Sequence, residues 1–258
     1  DVLTVQEFKD LKQALSDFTL KAAGEDLVRM RAVKSAEEIE LIAASQALNE
    51  KALAKAVAQI KPGMTEKDLA ALVTYEILRC GAENVSFEPI VAFGENTAVP
   101  HHHPSHKKLE KNDLILIDMG AKLNGYCSDL TRRFSLGEPN GELVKIHSIV
   151  LEAQNYALQH IKAGMTGHEA DSLAREYIIA NGFSTEFGHS LGHGVGVDIH
   201  EYPRAAKKSE NILEENMVIS VEPGIYVEGL GGVRIEDLVV VQHDGVRNLN
   251  EFSKTLNL

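Results

Sequence analysis

Asp118, Asp129, His193, Glu222 and Glu236 occur, in that order, where a hydrolase built on two metal ions needs its ligands. The four acids fall in aliphatic segments, LILID, CSDLT, VISVE and VRIED, that read as buried strand. A carboxylate in such a place costs several kcal/mol or more unless something pairs with it. Four carboxylates on one wall also repel one another and tend to take up protons. Two divalent cations resolve both problems, because their summed charge balances four acids. For any single acid, an ion pair with arginine or lysine is the competing account, and Arg132, Arg133 and Arg234 are close in sequence. Two acid pairs on shared faces together with a histidine favour metal.

The acids can meet only if two hairpins place them. Leu114 to Met119 and Tyr126 to Phe134 read as strands joined around Leu123-Asn124-Gly125. A turn centred on Leu123-Asn124 sets Asp118 directly opposite Asp129, whereas a turn at Asn124-Gly125 leaves Asp129 two residues away on the diagonal. Either register keeps both on one face, with Cβ atoms about 5 to 8 Å apart, a separation that suits metals spaced about 3.5 to 4 Å. Met217 to Glu222 and Val233 to Val241 form a second pair of strands around Gly229, Gly231 and Gly232. Glu222 and Glu236 are symmetric about Gly229, so they too can share a face.

Helices and a repeat frame these hairpins. Ser35-Ala36-Glu37-Glu38 is a capping box opening a long helix that Pro62-Gly63 ends. Thr65-Glu66-Lys67-Asp68 opens a second helix, closed by Gly81. The phrase Ile60-Lys61-Pro62-Gly63-Met64-Thr65 then returns as Ile161-Lys162-Ala163-Gly164-Met165-Thr166 at an offset of 101, and Leu72, Ile77 and Gly81 match Leu173, Ile178 and Gly182. Two related halves facing one another across a cleft are the simplest arrangement. Ahead of them, Val2 to Val5 reads as strand and Gln6 to about Ala22 as an amphipathic helix stopped by Gly24. That segment has too few apolar residues for a core of its own, so residues 1–30 are expected to be the tail of a truncated N-terminal domain plus linker, and residues 31–258 the catalytic domain.

The other histidines divide. His189 and His193 are four apart, but Ser190 and the surrounding Gly188, Gly192, Gly194 and Gly196 exclude a helical zinc motif. Those glycines also lack the full dinucleotide fingerprint and are read as allowing close approach of backbone and substrate. His102, His103 and His106 read as solvated loop, and His147, His160, His168 and His243 as surface or helix-face residues.

Bulk properties remove other classes. A chain of 258 residues suits one large domain. Its net charge of −12 excludes a basic nucleic-acid or anionic-membrane surface. Cys80 and Cys127 are read as small buried residues, no disulfide framework is implied, and no apolar run reaches membrane-spanning length. A cytoplasmic location is the expectation.

His101 within NTAVPH, Asp118 within IDMGA, Asp129 within SDLTR, His193 within HSLGHGVG, His200 within DIHE, Glu222 within VEPG and Glu236 within RIED closely resemble the pita-bread metallopeptidases, and among them aminopeptidase P and prolidase. The resemblance runs from about Val33 to the C-terminus. It implies an α+β pita-bread (creatinase/aminopeptidase) fold with two pseudo-symmetric halves, mixed and antiparallel strands flanked by helices. It also implies a dinuclear-metal-dependent exopeptidase that hydrolyses Xaa-Pro bonds through a metal-bridging hydroxide, acting on short peptides with proline in the second position. By the same resemblance, Asp118 and Asp129 hold one metal, Asp129 and Glu236 bridge to a second, and His193 and Glu222 complete it. Glu222 is the general base, His101 and His200 contact substrate and stabilise the tetrahedral intermediate, and His189 lines the proline pocket with Arg234 nearby. Packing or ion pairing is the competing reading for His189 and Arg234. Four oxygen ligands and one imidazole suit Mn2+, with Co2+, Fe2+ and Zn2+ as alternatives. The resemblance leaves a homodimer open.

Two other functions compete. Methionine aminopeptidase shares some of the flavour of Gly194-Val195-Gly196 and His200-Glu201-Tyr202-Pro203, but the PHHHPS loop around His101 lacks the turn associated with it. A non-catalytic module on the same scaffold has no need of an intact ligand set.

Overall fold

The computed structural model describes residues 3–21 and 23–256. At the N-terminal end it corrects the expected strand and helix. The side chain of Thr4 accepts from Glu7 N at 3.2 Å while the Glu7 carboxylate accepts from Thr4 N at 2.7 Å. This capping box turns Val5 into the first residue of α1 (Val5–Ala14). Gly24 opens a second helix, α2 (Gly24–Ala32), and does not close the first. Val2 and Ala22, which the expectation included, lie outside the described residues. Downstream of α2, buried Lys34 reaches Glu201 Oε2 at 3.3 Å, and Arg31 pairs with Asp198 at 2.7 Å and with Glu201.

The long helix α3 (Ala36–Val57) and the next, α4 (Glu66–Arg79), start at the predicted caps, Ser35 and Thr65. Short β1 (Asn84–Val85) and β2 (Ile90–Phe93) lead through a loop to the first hairpin: β3 (Leu114–Met119), β4 (Ala121–Leu123), β5 (Tyr126–Cys127) and β6 (Leu130–Ser135). The second half repeats the order with α5 (Gly141–His160), α6 (Gly167–Ala180), β7 (Gly192–Gly194), β8 (Glu201–Ala205), β9 (Val218–Val221), β10 (Gly224–Val227), β11 (Gly231–Arg234), β12 (Asp237–Val241) and β13 (Val246–Asn248). Every strand pairing among the described residues is antiparallel.

The sequence repeat is a structural repeat. Gly63 and Gly164 take φ values of 81° and 88° and donate to Leu109 O and Leu213 O at 2.9 and 2.8 Å. Thr65 and Thr166 each close a capping box on the helix that follows. The sheet β2-β3-β6 has its counterpart in β7-β9-β12, which β8 and β13 extend to five strands. Each half has its own apolar layer. Leu53, Leu69, Val73 and Ile77 pack on Val91, Phe93, Ile115 and Ile117 in the first. Val150, Ala153, Ala174 and Ile178 pack with Ile219, Val221, Val239 and Val241 in the second. Side chains of the intervening strand residues, Asp118 and Thr131 among them, emerge on the opposite face, between the halves. No helix among the described residues is long and apolar enough to cross a membrane.

Both hairpins bend where they leave one sheet for another, at the acids. The chain breaks at Gly120 and at Ser128-Asp129 in the first, and at Glu222-Pro223 and Ile235-Glu236 in the second. Asp129, Glu222 and Glu236 therefore sit at strand junctions, not within strands as the aliphatic context suggests. A Cβ on Gly120 would lie 2.2 Å from Ser128 O, so the first bend closes only around glycine. Gly120→Ala is expected to lose about 1–3 kcal/mol in urea unfolding. Gly141→Ala, where a Cβ meets nothing within 4 Å, should stay within about 0.5 kcal/mol of wild type. Equal stability of the two variants would show that the bend is not sterically closed.

Candidate metal centre

Register decides how the first acid pair meets. Asp118 pairs with Thr131 and Lys122 with Cys127, about a two-residue turn at Asn124 and Gly125 with φ values of 51° and 80°. Left-handed φ at both central residues is the hairpin geometry that Asn-Gly favours. Of the two registers open to the sequence, the diagonal one is observed. The second hairpin is symmetric about Gly229 as predicted: Asp237 pairs with Val221 and Gly224 with Arg234.

His193 is the middle residue of β7, flanked by glycines for a steric reason. A Cβ at Gly192 would lie 1.9 Å from Ser220 O and one at Gly194 2.3 Å from Tyr202 O, so neighbouring strands press on both sides. His193 Nδ1 lies 3.1 Å from Gly194 O, which directs the ring proton there. Nε2 then turns its lone pair toward Asp129 Oδ2 at 3.5 Å and Glu222 Oε1 at 3.4 Å. A lone pair facing carboxylate oxygens is repulsive unless a cation lies among them. One ligand atom each from Asp129, His193 and Glu236 lie within 4.8 Å of one another. Asp118 Oδ1 and Glu236 Oε1 are buried with no hydrogen-bond partner. All five predicted ligands line one cleft of about 1340 Å³, large enough for a short peptide beside ions. Oxygen-rich donors, an oriented imidazole and orphaned carboxylate oxygens fit divalent metal.

Arginine satisfies only part of this charge. Arg234, buried, donates to Asp118 Oδ2 at 2.6 Å, Thr131 Oγ1 at 3.0 Å, Tyr226 OH at 2.8 Å and Pro100 O at 3.3 Å. Ion pairing therefore holds for Asp118. Arg132 instead serves Asp237 Oδ1 at 2.8 Å and Phe252 O at 3.0 Å, and Arg133 donates to Lys254 O. Thr131 Oγ1 in turn donates to Glu236 Oε2 at 2.7 Å.

Of the remaining predicted residues, His101 and His200 are exposed on the cleft wall, and the His200 ring lies 4.3 Å from that of His193 at 72°. His189 Nε2 is 2.8 Å from Tyr226 OH, and its ring meets Phe187 edge-on at 5.0 Å. Tyr226, absent from the predicted set, joins His189 to Arg234. Its signal was strand alternation: 226 shares a face with 222 and 224, and a Cβ at Gly224 would lie 2.5 Å from its hydroxyl. Gln46 was also missed; its Oε1 accepts from Asp129 N at 3.2 Å, and nothing in its helical context marks it. His102, read as solvated loop, is not solvated, and His147, read as a surface or helix-face residue, lies on α5 but on its buried face. His102 is half-buried with Nε2 2.8 Å from Glu66 Oε2, and His147 is buried against Lys254 O at 3.2 Å.

The electrostatics follow from burial. Burial, then repulsion from Glu236, Asp118 and Glu222, raises the Asp129 carboxyl well above its ordinary range. Glu222 is raised well above normal by burial and by Glu236. Glu236 is pushed up to about 8 by burial and by Asp118. Asp118 is raised by burial, with Arg234 opposing. Burial, then His200, lowers His193 to about 4, and burial, then Arg234, lowers His189 to about 3. His200 is lowered by burial and by Arg204.

A raised folded-state carboxyl pKa stabilises the fold below the unfolded value, and this stability is lost as pH rises through the folded value. Protein stripped with chelator should therefore weaken between about pH 4.5 and the Glu236 value of about 8, with up to about 1.4 kcal/mol per pH unit from each such carboxyl. Urea unfolding at pH 6 and 8 measures this; Glu236→Gln should flatten the slope, and an unchanged slope would show that Glu236 is ionised throughout.

Comparison with known proteins agrees with this geometry. Residues 40–243 match the model of metallopeptidase family M24. A Pyrococcus furiosus protein named Xaa-Pro dipeptidase is 42% identical over 252 residues, covering 98% of this chain and 69% of that protein. The structure of X-Pro aminopeptidase from Thermotoga maritima superposes with a TM-score of 0.95 at 43% identity, covering 99% of this chain and 73% of that one. Xaa-Pro dipeptidase from Bacillus anthracis superposes with a TM-score of 0.97 at 39% identity, covering 100% and 73%. The α+β pita-bread architecture expected from the resemblance is the one the chain shares with these structures. With its acids, its oriented imidazole and its two halves in place, the chain belongs to metallopeptidase family M24.

Proposed function

We propose that the chain is an exopeptidase that uses two divalent ions to hydrolyse the bond before proline in short Xaa-Pro peptides. The observation that carries this reading is the convergence of Asp129, His193 and Glu236 ligand atoms within 4.8 Å beside two orphaned carboxylate oxygens in a peptide-sized cleft. The names of the relatives, Xaa-Pro dipeptidase and X-Pro aminopeptidase, support the substrate class. We assign Asp118 and Asp129 to one ion and His193 and Glu222 to the other, with Asp129 and Glu236 shared. Mn2+ is the preferred ion for this donor set, ahead of Co2+, Fe2+ and Zn2+.

When bound, the ions supply Lewis acidity and lower the pKa of a water so that a nucleophile is available at neutral pH. Glu222 would serve as the general base toward the attacking water, and Ser220 Oγ, donating to Glu222 Oε1 at 3.2 Å, holds its carboxylate. We assign His101 and His200, exposed on the cleft wall, the role of donors to the scissile carbonyl oxygen as charge develops on it. Keeping His200 neutral through its lowered pKa suits a donor that must not repel the ions. We assign His189, which lines the cleft with Phe187 and Tyr226 packed against its ring, to the pocket for the proline ring. Arg234 holds Asp118 and the Tyr226 hydroxyl in place from the edge of the same cleft. We assign residues 1–30 to the end of a further N-terminal unit. This rests on α1, which has no buried residue and exposes Val5, Phe8 and Leu11.

Incubation with Mn2+ and Xaa-Pro, Xaa-Pro-Yaa or Met-Ala-Xaa peptides tests the reading. Cleavage of the proline peptides is expected, and cleavage of Met-Ala-Xaa alone would overturn it. Glu236→Gln should lower activity by more than about 100-fold together with metal uptake. A variant that stays loaded and active would remove Glu236 from the shared position.

A further inference from the structure

His101 reaches the cleft from the loop between β2 and β3, where no strand holds it. One buried carboxylate gathers that loop. Glu66, the first residue of α4, is fully buried, 0% exposed. Its Oε1 accepts from Phe93 N at 2.8 Å and Asn96 Nδ2 at 2.9 Å. Its Oε2 accepts from Ser105 N at 2.9 Å and Ser105 Oγ at 2.6 Å, and lies 2.8 Å from His102 Nε2. Every one of these partners lies within residues 93–105, the stretch that carries His101. The start of α4 grips the same loop through its backbone, Glu66 N donating to Lys107 O at 3.1 Å and Lys67 N to Ser105 O at 3.2 Å. A carboxylate this deeply buried is tolerable only with such a set of donors and a helix N-terminus behind it. Burial pushes its carboxyl up, but the bonds from Ser105, His102 and Asn96 outweigh it and leave the group below its ordinary value.

The internal repeat shows what the acid replaces. Thr65 and Thr166 correspond at the offset of 101, and so do Glu66 and Gly167. A Cβ on Gly167 would lie 2.0 Å from Arg204 O, so in the second half β8 itself presses against the start of the helix. That strand is held by hydrogen bonds to β7 and follows directly after His200. In the first half the start of the helix carries the Glu66 side chain, which binds the loop of residues 93–105. His102, bound to Glu66, and His101, open to the cleft, are neighbours on that loop. Fixing one fixes the backbone of the other.

We propose that Glu66, acting through His102 and Ser105, is a positioning residue that sets His101 over the reacting carbonyl. The proposal rests on the peptidase reading for its kinetic consequence and on geometry alone for the anchor. In Glu66→Gln the amide oxygen can keep Phe93 N and Asn96, but the amide NH2 then confronts the N–H of Ser105. Mn2+ uptake should be unchanged. On an Xaa-Pro dipeptide, kcat should fall about 10- to 100-fold, the scale of a misplaced group, with KM within about threefold. In a His101→Ala background the same change should cost less than about threefold, because two residues acting as one unit are not additive. Hydrogen exchange at Ser105, whose N–H loses its acceptor, should accelerate at least about tenfold while α6 is unaffected. If Glu66→Gln does not fold, His102→Ala carries the same test, and His102→Gln, which restores a donor, should recover kcat. Wild-type kcat in Glu66→Gln or His102→Ala, or an equal loss with and without His101, overturns the proposal. Metal-loaded wild type inert toward every proline peptide would sink the peptidase reading instead; unchanged exchange at Ser105 would then overturn the anchor.

Discussion

Three buried carboxylates, Asp118, Asp129 and Glu236, and the half-buried Glu222 gather around one guanidinium, and every other feature of the site answers to that imbalance. Arg234 compensates Asp118, and its remaining donors go to a threonine, a tyrosine and a backbone carbonyl. Asp129, Glu222 and Glu236 are left to share space with an imidazole whose lone pair, not its proton, points at them. Without a cation, the chain can relieve this only by holding protons, as the raised carboxyls of Asp129, Glu222 and Glu236 indicate. Such a cluster contributes little to stability by itself. Its retention in the middle of the fold makes sense as a charge reservoir for divalent metal, in keeping with membership of a metallopeptidase family.

The fold delivers that cluster by doing one thing twice. In each half two helices cover a sheet, the middle strand of the sheet runs toward the cleft, and its hairpin partner returns across a bend. The first acid of each pair lies at the end of the outgoing strand, Asp118 just inside β3 and Glu222 just past β9, and the second lies just ahead of the returning one, so Asp118 corresponds to Glu222 and Asp129 to Glu236. Bends leave strand hydrogen bonds unmade and would be a weakness elsewhere. Here they aim side chains into the space between the halves, and glycine at 120, 192 and 194 lets the strands close around them. The departures from symmetry are informative in the same way. One half supplies a histidine from a strand, the other from a loop pinned by Glu66.

Much of this was legible in the residues, because hairpin register and helix capping are local. The offset of 101 foretold the paired halves, and the symmetry about Gly229 gave the register that the second hairpin adopts. Asn124-Gly125 offered two registers, and the preference of that pair for left-handed φ selects between them. What stayed hidden depends on distant partners. The aliphatic setting of the acids suggested strand interiors, yet three sit at junctions, since composition reports burial and not pairing. His102 reads as solvated loop and the buried side of His147 goes unmarked because Glu66 and Lys254 O, their partners, lie 36 and 107 residues away. At the N-terminal end, Thr4 and Glu7 form a capping box that a strand reading of Val2 to Val5 obscured.

The central claim is that the acids are neutralised by divalent metal, and calorimetric titration with Mn2+ in buffers of different ionisation enthalpy tests it most directly. Below the Glu236 value of about 8, ion binding must displace protons from the cluster. The account predicts two equivalents of Mn2+ per chain near pH 6.5, a heat that depends on the buffer, and net proton release that shrinks as pH rises. Failure to bind, or binding with no proton released, would contradict it.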